Sequence, residues 1–412
     1  MPDFINDLLW SFPTMALLTG TGAYFTFKSR FYPLRRVKEI IKSVAETDSS
    51  AEISSLHGLM TALGGTVGVG SITGVAYAIT QGGAGALFWM WVSSFFCMML
   101  KYAENYITVK ESRRQGIRGS AATLLKGMGK RKTAAFFAVS GILASFGSGN
   151  MAQANAFSLA ATEAGANTFA VGLAFALLLI PAVTGGQKII AKVNGILVPG
   201  AAVLFTATAL GITVFNFKEI PGAFTDILKS AFGISKVGAG FTGTAISLAL
   251  KTGVSKGVFS HEAGMGSSPI AHAAAGVSPL NAARFGIIEV FTDTFAVSTV
   301  TALALLTTRS ESAEEMFFVC FGNAGALLLA AAVGIFAYAA VISWCFYSES
   351  LIKFLTDKKP LIYVYRFLVI ISAFFGCIYN AETIWSIADI FNALMLFPNL
   401  YALIIRRKEI LY

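Results

Sequence analysis

Residues 61–91 read TALGGTVGVGSITGVAYAITQGGAGALFWMW. The stretch is apolar enough to lie in a bilayer, yet Gly64, Gly65, Gly68, Gly70 and Gly74 crowd its first half. Glycine lowers helix propensity, so the spacing predicts a helix interrupted in mid-membrane. Hydrocarbon cannot satisfy the peptide groups freed there; they must line a cavity or bind something. The competing reading is close helix packing, since Gly64/Gly68 and Gly70/Gly74 are both GxxxG pairs. A dinucleotide loop is excluded, because no strand precedes and Thr73 stands where the last glycine of GxGxxG belongs.

A second stretch of the same kind lies downstream. Residues 249–275 read ALKTGVSKGVFSHEAGMGSSPIAHAAA, with Gly253, Gly257, Gly264 and Gly266 followed by Pro269. Proline removes a helix donor, so this is a second interrupted span. The pair His261-Glu262 does not extend to the zinc motif HExxH, because Met265 occupies the second histidine position. Polar groups this dense inside an apolar run are costly unless paired or wet, which points to a cavity lining.

Composition sets the surroundings. The chain has 412 residues, of which 55% are hydrophobic and 13% charged. A soluble protein carries about 25% charged residues, so most of this exterior must face lipid. That excludes a cytosolic enzyme and a nucleic-acid binder. Cys97, Cys320, Cys345 and Cys377 all sit in apolar runs and form no CxxC pair, as expected of small core residues. The start, MPDFIND, lacks the basic region of a secretory signal, so the first apolar stretch is expected to remain as a helix. No nucleophile–base pair or transition-metal spacing is found. No catalytic residues, and no metal other than a coupling ion, are expected.

Eleven apolar segments are long enough to span: 7–27, 56–80, 84–110, 133–162, 168–185, 190–215, 237–272, 281–307, 317–352, 361–379 and 383–405. With the N-terminus outside, twenty-three of the 31 Lys and Arg residues fall in inside connections and the C-terminus, against four outside (Lys218, Lys229, Lys236 and Arg309). This positive-inside asymmetry predicts N-out, C-in and accounts for the net charge of +9 without an anionic partner. The interrupted segments, two and seven, are five apart. Two five-helix halves, 56–215 and 237–405, therefore enter the membrane in opposite directions, with 7–27 as an extra helix. An all-α membrane protein built as a 5+5 inverted repeat, one polytopic domain over 1–412, is the pattern of a secondary transporter.

Within segment four, Asn150, Gln153 and Phe157 share a helical face, and Gln153 is the candidate to hydrogen-bond a zwitterion. Asn155, on another face, reads as an interhelical bond. Lys101, Glu104, Glu289, Asp293 and Asp389 are intramembrane ionisable residues and default proton-relay candidates; Lys101 and Glu104, three apart, read equally as a simple pair. Trp344 reads as a pocket wall or as packing.

These residues resemble the alanine or glycine:cation symporters, sodium-coupled amino-acid transporters of bacteria and archaea. The resemblance covers nearly the whole chain. It is carried by 61–91 and 249–275, with KYAEN (101–105), GNMAQAN (149–155), DTFAV (293–297) and NALMLFPNLYAL (392–403). It implies a leucine-transporter-type fold in a bacterial or archaeal plasma membrane, with no organic cofactor. A small neutral amino acid would lie between the interrupted segments at Gly68, Val69, Gly70, Ser71, Gln153, Phe259, Ser260, His261 and Trp344. Sodium would lie between Thr66 and Gly68 and segment nine. The chain departs from the family pattern at Val69, Ser71 and His261. It also places Ala339 and Ala340 where a Ser-Thr pair is common, so the cation positions Thr66, Gly68, Ala339 and Ala340 lack two hydroxyls. Proton coupling and a non-transporting amino-acid sensor are the alternatives these departures raise.

Overall fold

The computed structural model describes residues 2–46, 53–116, 119–233 and 242–412. Arg118 and Lys236, two of the basic residues counted above, lie outside them. The described chain is almost entirely helical, as a chain in lipid must be when every backbone group needs an internal partner. Seven helices are by themselves long and apolar enough to cross a bilayer, and the bent pair Ser55–Thr66 and Val69–Gly82 makes an eighth span.

The remaining spans follow from local breaks. Thr168–Phe215 is continuous in hydrogen bonding but carries Gly186 at φ 75°, which divides it into the fifth and sixth spans. Only glycine takes such a φ without strain. Phe12–Lys28 forms the first span, and Thr242–His261 with Pro269–Ala274 the seventh. The others are Gly85–Gln115, Arg131–Glu163, Pro279–Thr308, Ala313–Leu355, Lys359–Ile378 and Ala381–Ile405. That gives eleven spans among the described residues, and the leucine-transporter-type 5+5 arrangement stands.

Some boundaries differ from the sequence reading. Pro2–Leu9 is a separate short helix, divided from the first span at Trp10 and Ser11. Helix Ile220–Ala231 lies between spans six and seven, outside the eleven apolar segments. Its carbonyl at Ala231 accepts from the Trp89 indole at 3.3 Å. The ninth span begins before the expected position and breaks at Gly322, φ 59°.

Basic residues gather at one end of the bundle. Lys28 donates to the Arg407 carbonyl at 3.1 Å, Arg406 pairs with Glu111 at 2.8 Å, and Arg113 donates to the Gly276 carbonyl at 2.7 Å. The ends of spans one, three, seven and eleven therefore share a face, the C-terminal face below. The opposite, N-terminal face carries Ile220–Ala231 and the Arg309–Glu219 pair.

Candidate functional site

Both interruptions form as expected. The second span stops at Thr66, runs extended through Val67 and Gly68, makes a 3₁₀ turn over Val69–Ser71 and restarts at Thr73, its halves bent by 51°. The seventh span stops at His261. Its turn holds Glu262, Gly264 and Gly266 at φ 54°, 89° and 71° before the helix resumes at Pro269. Two glycines relieve the turn; Glu262 accepts the left-handed conformation at a cost.

A small cavity lies where the breaks meet. Gly65, Thr66, Gly68 and Gly70 line it from span two, Ser148 and Gln153 from span four, and Phe259, Ser260 and Glu262 from span seven. Trp344 of span nine and Asn392 of span eleven complete it. The cavity's open volume is about 10 Å³. That is room for about one water, so a solute enters only if the surrounding spans yield.

Gln153 ties the site together. Its carboxamide oxygen accepts from the Val69 N–H at 3.4 Å, and its NH₂ group donates to the Ser148 carbonyl at 3.0 Å. That carbonyl belongs to Gly147–Met151, a π-helical turn, a distortion common at functional sites. A side chain at Gly68 would bring a Cβ to 3.1 Å from the Gln153 oxygen, and one at Gly149 would collide with the Trp344 indole. The long Val69 bond is weak. It occupies a naked amide at the start of a half-helix, where an α-carboxylate is favoured.

The walls are aromatic and acidic. Phe259 packs on Trp385 with centroids 4.8 Å apart. Glu262 accepts from the Trp344 indole at 2.8 Å and from the Ser267 hydroxyl at 2.5 Å. Towards the N-terminal face, Lys256 pairs with Asp389 at 2.8 Å. Its ammonium also lies over the rings of Tyr77, Trp385 and Phe259 at 5.0, 5.3 and 5.7 Å. Beyond that pair lies a recess lined by Trp10, Tyr77, Gln81 and Thr252, among others.

Towards the C-terminal face the seventh-span turn is fastened by span three. Lys101 donates to the His261 carbonyl at 2.6 Å, capping the negative end of the half-helix. Glu104 accepts from the Gly264 and Gly266 N–H groups at 2.9 and 3.3 Å and from Asn399 at 2.9 Å. Lys101 pairs with Glu289 at 3.0 Å, and Glu289 meets His272 at 2.7 Å. Lys101 and Glu104 thus do not form the simple pair read from their spacing; each serves a different end of the turn.

Of the sequence-predicted substrate positions, the structure gathers Gly68, Gly70, Gln153, Phe259, Ser260 and Trp344 around the cavity, with Val69 present through its amide. Ser71 and His261 are not in the lining. Ser71 hydrogen-bonds to Ser260 and Asp293, and His261 Nδ1 accepts from the Ala263 N–H at 3.1 Å. Asn150 and Asn155 donate to carbonyls of the tenth span and its end. Among the cation candidates, the Thr66 hydroxyl donates to the Ala62 carbonyl and accepts from Lys101 at 3.1 Å. Ala340 lies against Gly68, where its Cβ would be 3.8 Å from an added one, and like Ala339 it offers no side-chain oxygen. Ser148, Glu262 and Asn392 line the cavity without having been singled out. The density of polar residues around 147–155 and 259–268 was the available signal for the first two.

A leucine-transporter-type bundle with two interrupted spans meeting at a buried polar cavity defines a membrane transporter of small solutes. The solved structure of MhsT in complex with L-phenylalanine has the same fold, with a TM-score of 0.60 over 85% of this chain and 88% of that one at 14% identity. Residues 1–411 match the sodium:alanine symporter family, and the chain belongs to that family. It is 36% identical to the sodium/alanine symporter AgcS of Methanococcus maripaludis over 97% of this chain and 93% of that protein. It is 35% identical to the probable sodium/glutamine symporter GlnT of Bacillus subtilis, over 98% and 87%.

Proposed function

We propose that the chain imports a small neutral amino acid of the alanine or glycine type, driven by sodium, by alternating access. The observation that carries this reading is the Gln153 carboxamide on the Val69 amide, inside a buried polar cavity where the two interruptions meet. In this reading an α-carboxylate displaces Gln153 from Val69 and takes the free donors of the second-span turn. The ammonium turns towards Glu262 and the Ser148 carbonyl. Phe259 and Trp344 close over a short side chain and leave no space for a long one. Family membership supports a cation-coupled amino-acid carrier, and the names of the two relatives favour sodium with a neutral substrate.

The gathering of basic residues on one face supports a plasma-membrane protein with its C-terminal face in the cytoplasm and its N-terminus outside. The test is uptake of labelled alanine and glycine into proteoliposomes, with sodium and proton gradients imposed separately. Sodium-driven uphill accumulation is expected. Accumulation under neither gradient, for any small neutral amino acid, overturns the reading.

A further inference from the structure

A larger recess opens on the C-terminal face and shares no residue with the solute cavity. It holds about 540 Å³ between the start of span eight and the segment that follows span one. Two short helices, Tyr32–Arg35 and Val37–Ala45, form that segment, and the second packs along span eight. Tyr32, Arg36 and Glu39 line the recess from this side, Leu280 and Arg284 from span eight, and Tyr106 from span three.

The lining is that of an anion site. Arg284 donates through Nε to the Tyr32 hydroxyl at 3.1 Å and through Nη1 to the Asn281 carboxamide oxygen at 3.4 Å. It has no direct carboxylate partner among the described residues, so its charge is left unbalanced. Arg36 is held only by Glu39, at 2.7 Å and in a largely exposed pair, a bond that a second anion can exchange. The Tyr106 side chain is 6% exposed, and its hydroxyl has no hydrogen-bond partner among the described residues. The Lys110 ammonium lies 5.9 Å from the centre of the same ring. Guanidinium forks match phosphate oxygens in geometry as well as charge.

The surroundings select the kind of anion. Leu280 and Leu411 stand exposed at the rim, and Leu34, Val37 and Ile41 stand exposed on the two short helices. On Val37–Ala45, Ile40 and Ser43 are buried, while Lys38 and Lys42 face outward. Basic on one side and apolar on another, it has the character of a helix lying in a membrane interface. A free inorganic anion gains nothing from apolar side chains around its seat; an amphiphile with an anionic head does. Basic pockets between spans on the cytoplasmic side take such heads.

We propose that this recess seats the phosphate of an anionic phospholipid. The Arg284 and Arg36 guanidinium groups meet the phosphate oxygens, the Tyr106 hydroxyl donates to one of them, and the acyl chains leave over Leu280 and Leu411. Glu39 is the acid of the lining and opposes the head, so binding exchanges the Arg36–Glu39 bond for an Arg36–phosphate bond. The bound lipid joins Val37–Ala45 to span eight, the span whose Glu289 pairs with Lys101 beneath the solute cavity.

The experiment is native mass spectrometry of the purified full chain in non-ionic detergent, titrated with dioctanoyl phosphatidylglycerol, dioctanoyl phosphatidylcholine or inorganic phosphate. Wild-type protein retains one phosphatidylglycerol at a midpoint at least about tenfold below that for phosphatidylcholine. Arg284→Ala raises the phosphatidylglycerol midpoint about tenfold, as for one hydrogen bond to a charged group. Glu39→Gln lowers it about threefold, since a competing exposed carboxylate is removed. Arg309→Ala, on the opposite face, leaves it within about twofold. Equal midpoints for the two lipids overturn the proposal, as does an unchanged midpoint in Arg284→Ala or an equal loss in Arg309→Ala. Displacement of phosphatidylglycerol by inorganic phosphate at equal concentration makes the recess a free-anion site and overturns the lipid assignment. Should Arg284→Ala fail to fold, unchanged midpoints in Glu39→Gln and in Arg36→Gln, both at exposed positions, overturn it instead.

Discussion

The two ends of the cavity are closed by different means. Towards the N-terminal face one ion pair, Lys256–Asp389, and one ring pair, Phe259–Trp385, separate it from an open recess. Towards the C-terminal face the closure is a network: Lys101 on the His261 carbonyl and on Glu289, Glu289 on His272, Glu104 on two turn amides and Asn399, and Ser268 on Asn105 at 2.8 Å. Its charged members are fully buried, whereas the side chains of Lys256 and Asp389 keep 8% and 9% of their exposure. Opening the first barrier means hydrating one partly wet pair. Opening the second means dismantling several buried charged hydrogen bonds together, each stronger for its low-dielectric setting. The difference teaches that the described conformation is poised to yield at the N-terminal face first, which under the proposed orientation is the outside.

This asymmetry is open to attack by mutation. The largest effect is expected in Lys101→Met. Removing the lysine of this buried charged set leaves Glu289 with His272 alone and the His261 carbonyl without its side-chain donor, at about 3–5 kcal/mol. A fall of many degrees in the detergent melting temperature is the readout, and an unchanged melt would show that the C-terminal closure is not held by charge. Next comes Gln153→Ala, which removes the side chain joining the Val69 amide to the Ser148 carbonyl and is expected to cut labelled alanine uptake at least about tenfold, roughly one to two net hydrogen bonds, with membrane insertion intact. Unchanged uptake would remove Gln153 from the site. Asp389→Asn, on the N-terminal side, should cost only about 1–2 kcal/mol of stability while accelerating exchange of bound alanine. Slower exchange would mean that the pair does not gate. Smallest is Glu409→Gln. Hydrogen bonding to Arg406 holds the Glu409 carboxyl below the usual carboxylate range, so its contribution is present near neutrality and lost as pH falls through that lowered value. The pair is partly exposed, and the substitution should cost no more than about 1 kcal/mol at pH 7, measured as a shift in melting temperature.

Much of this was written locally in the chain. Gly68, Gly70, Gly264, Gly266 and Pro269 mark the interruptions because helix disruption is a property of the residue itself. Gln153 stood out because a carboxamide in an apolar run needs a partner. The partners were another matter. Lys101 and Glu104 are three apart, yet their contacts lie at Thr66, His261, Glu289 and Asn399, separations that spacing rules do not reach. Asp293 was visible only as an intramembrane acid, since its partners Ser71 and Ser260 lie 222 and 33 residues away. Helix Ile220–Ala231 went unread because its apolar run is too short to span and its neighbours are polar.

The most direct measurement is the distance between nitroxide labels at Leu248 of span seven and Ile387 of span eleven, by double electron–electron resonance in nanodiscs. Both side chains are exposed and both spans flank the Lys256–Asp389 pair. If the interrupted spans clasp a small amino acid behind a thin outer barrier, sodium alone should populate a longer distance, and sodium with alanine should return the shorter one. A single distance, indifferent to both solutes, would contradict it.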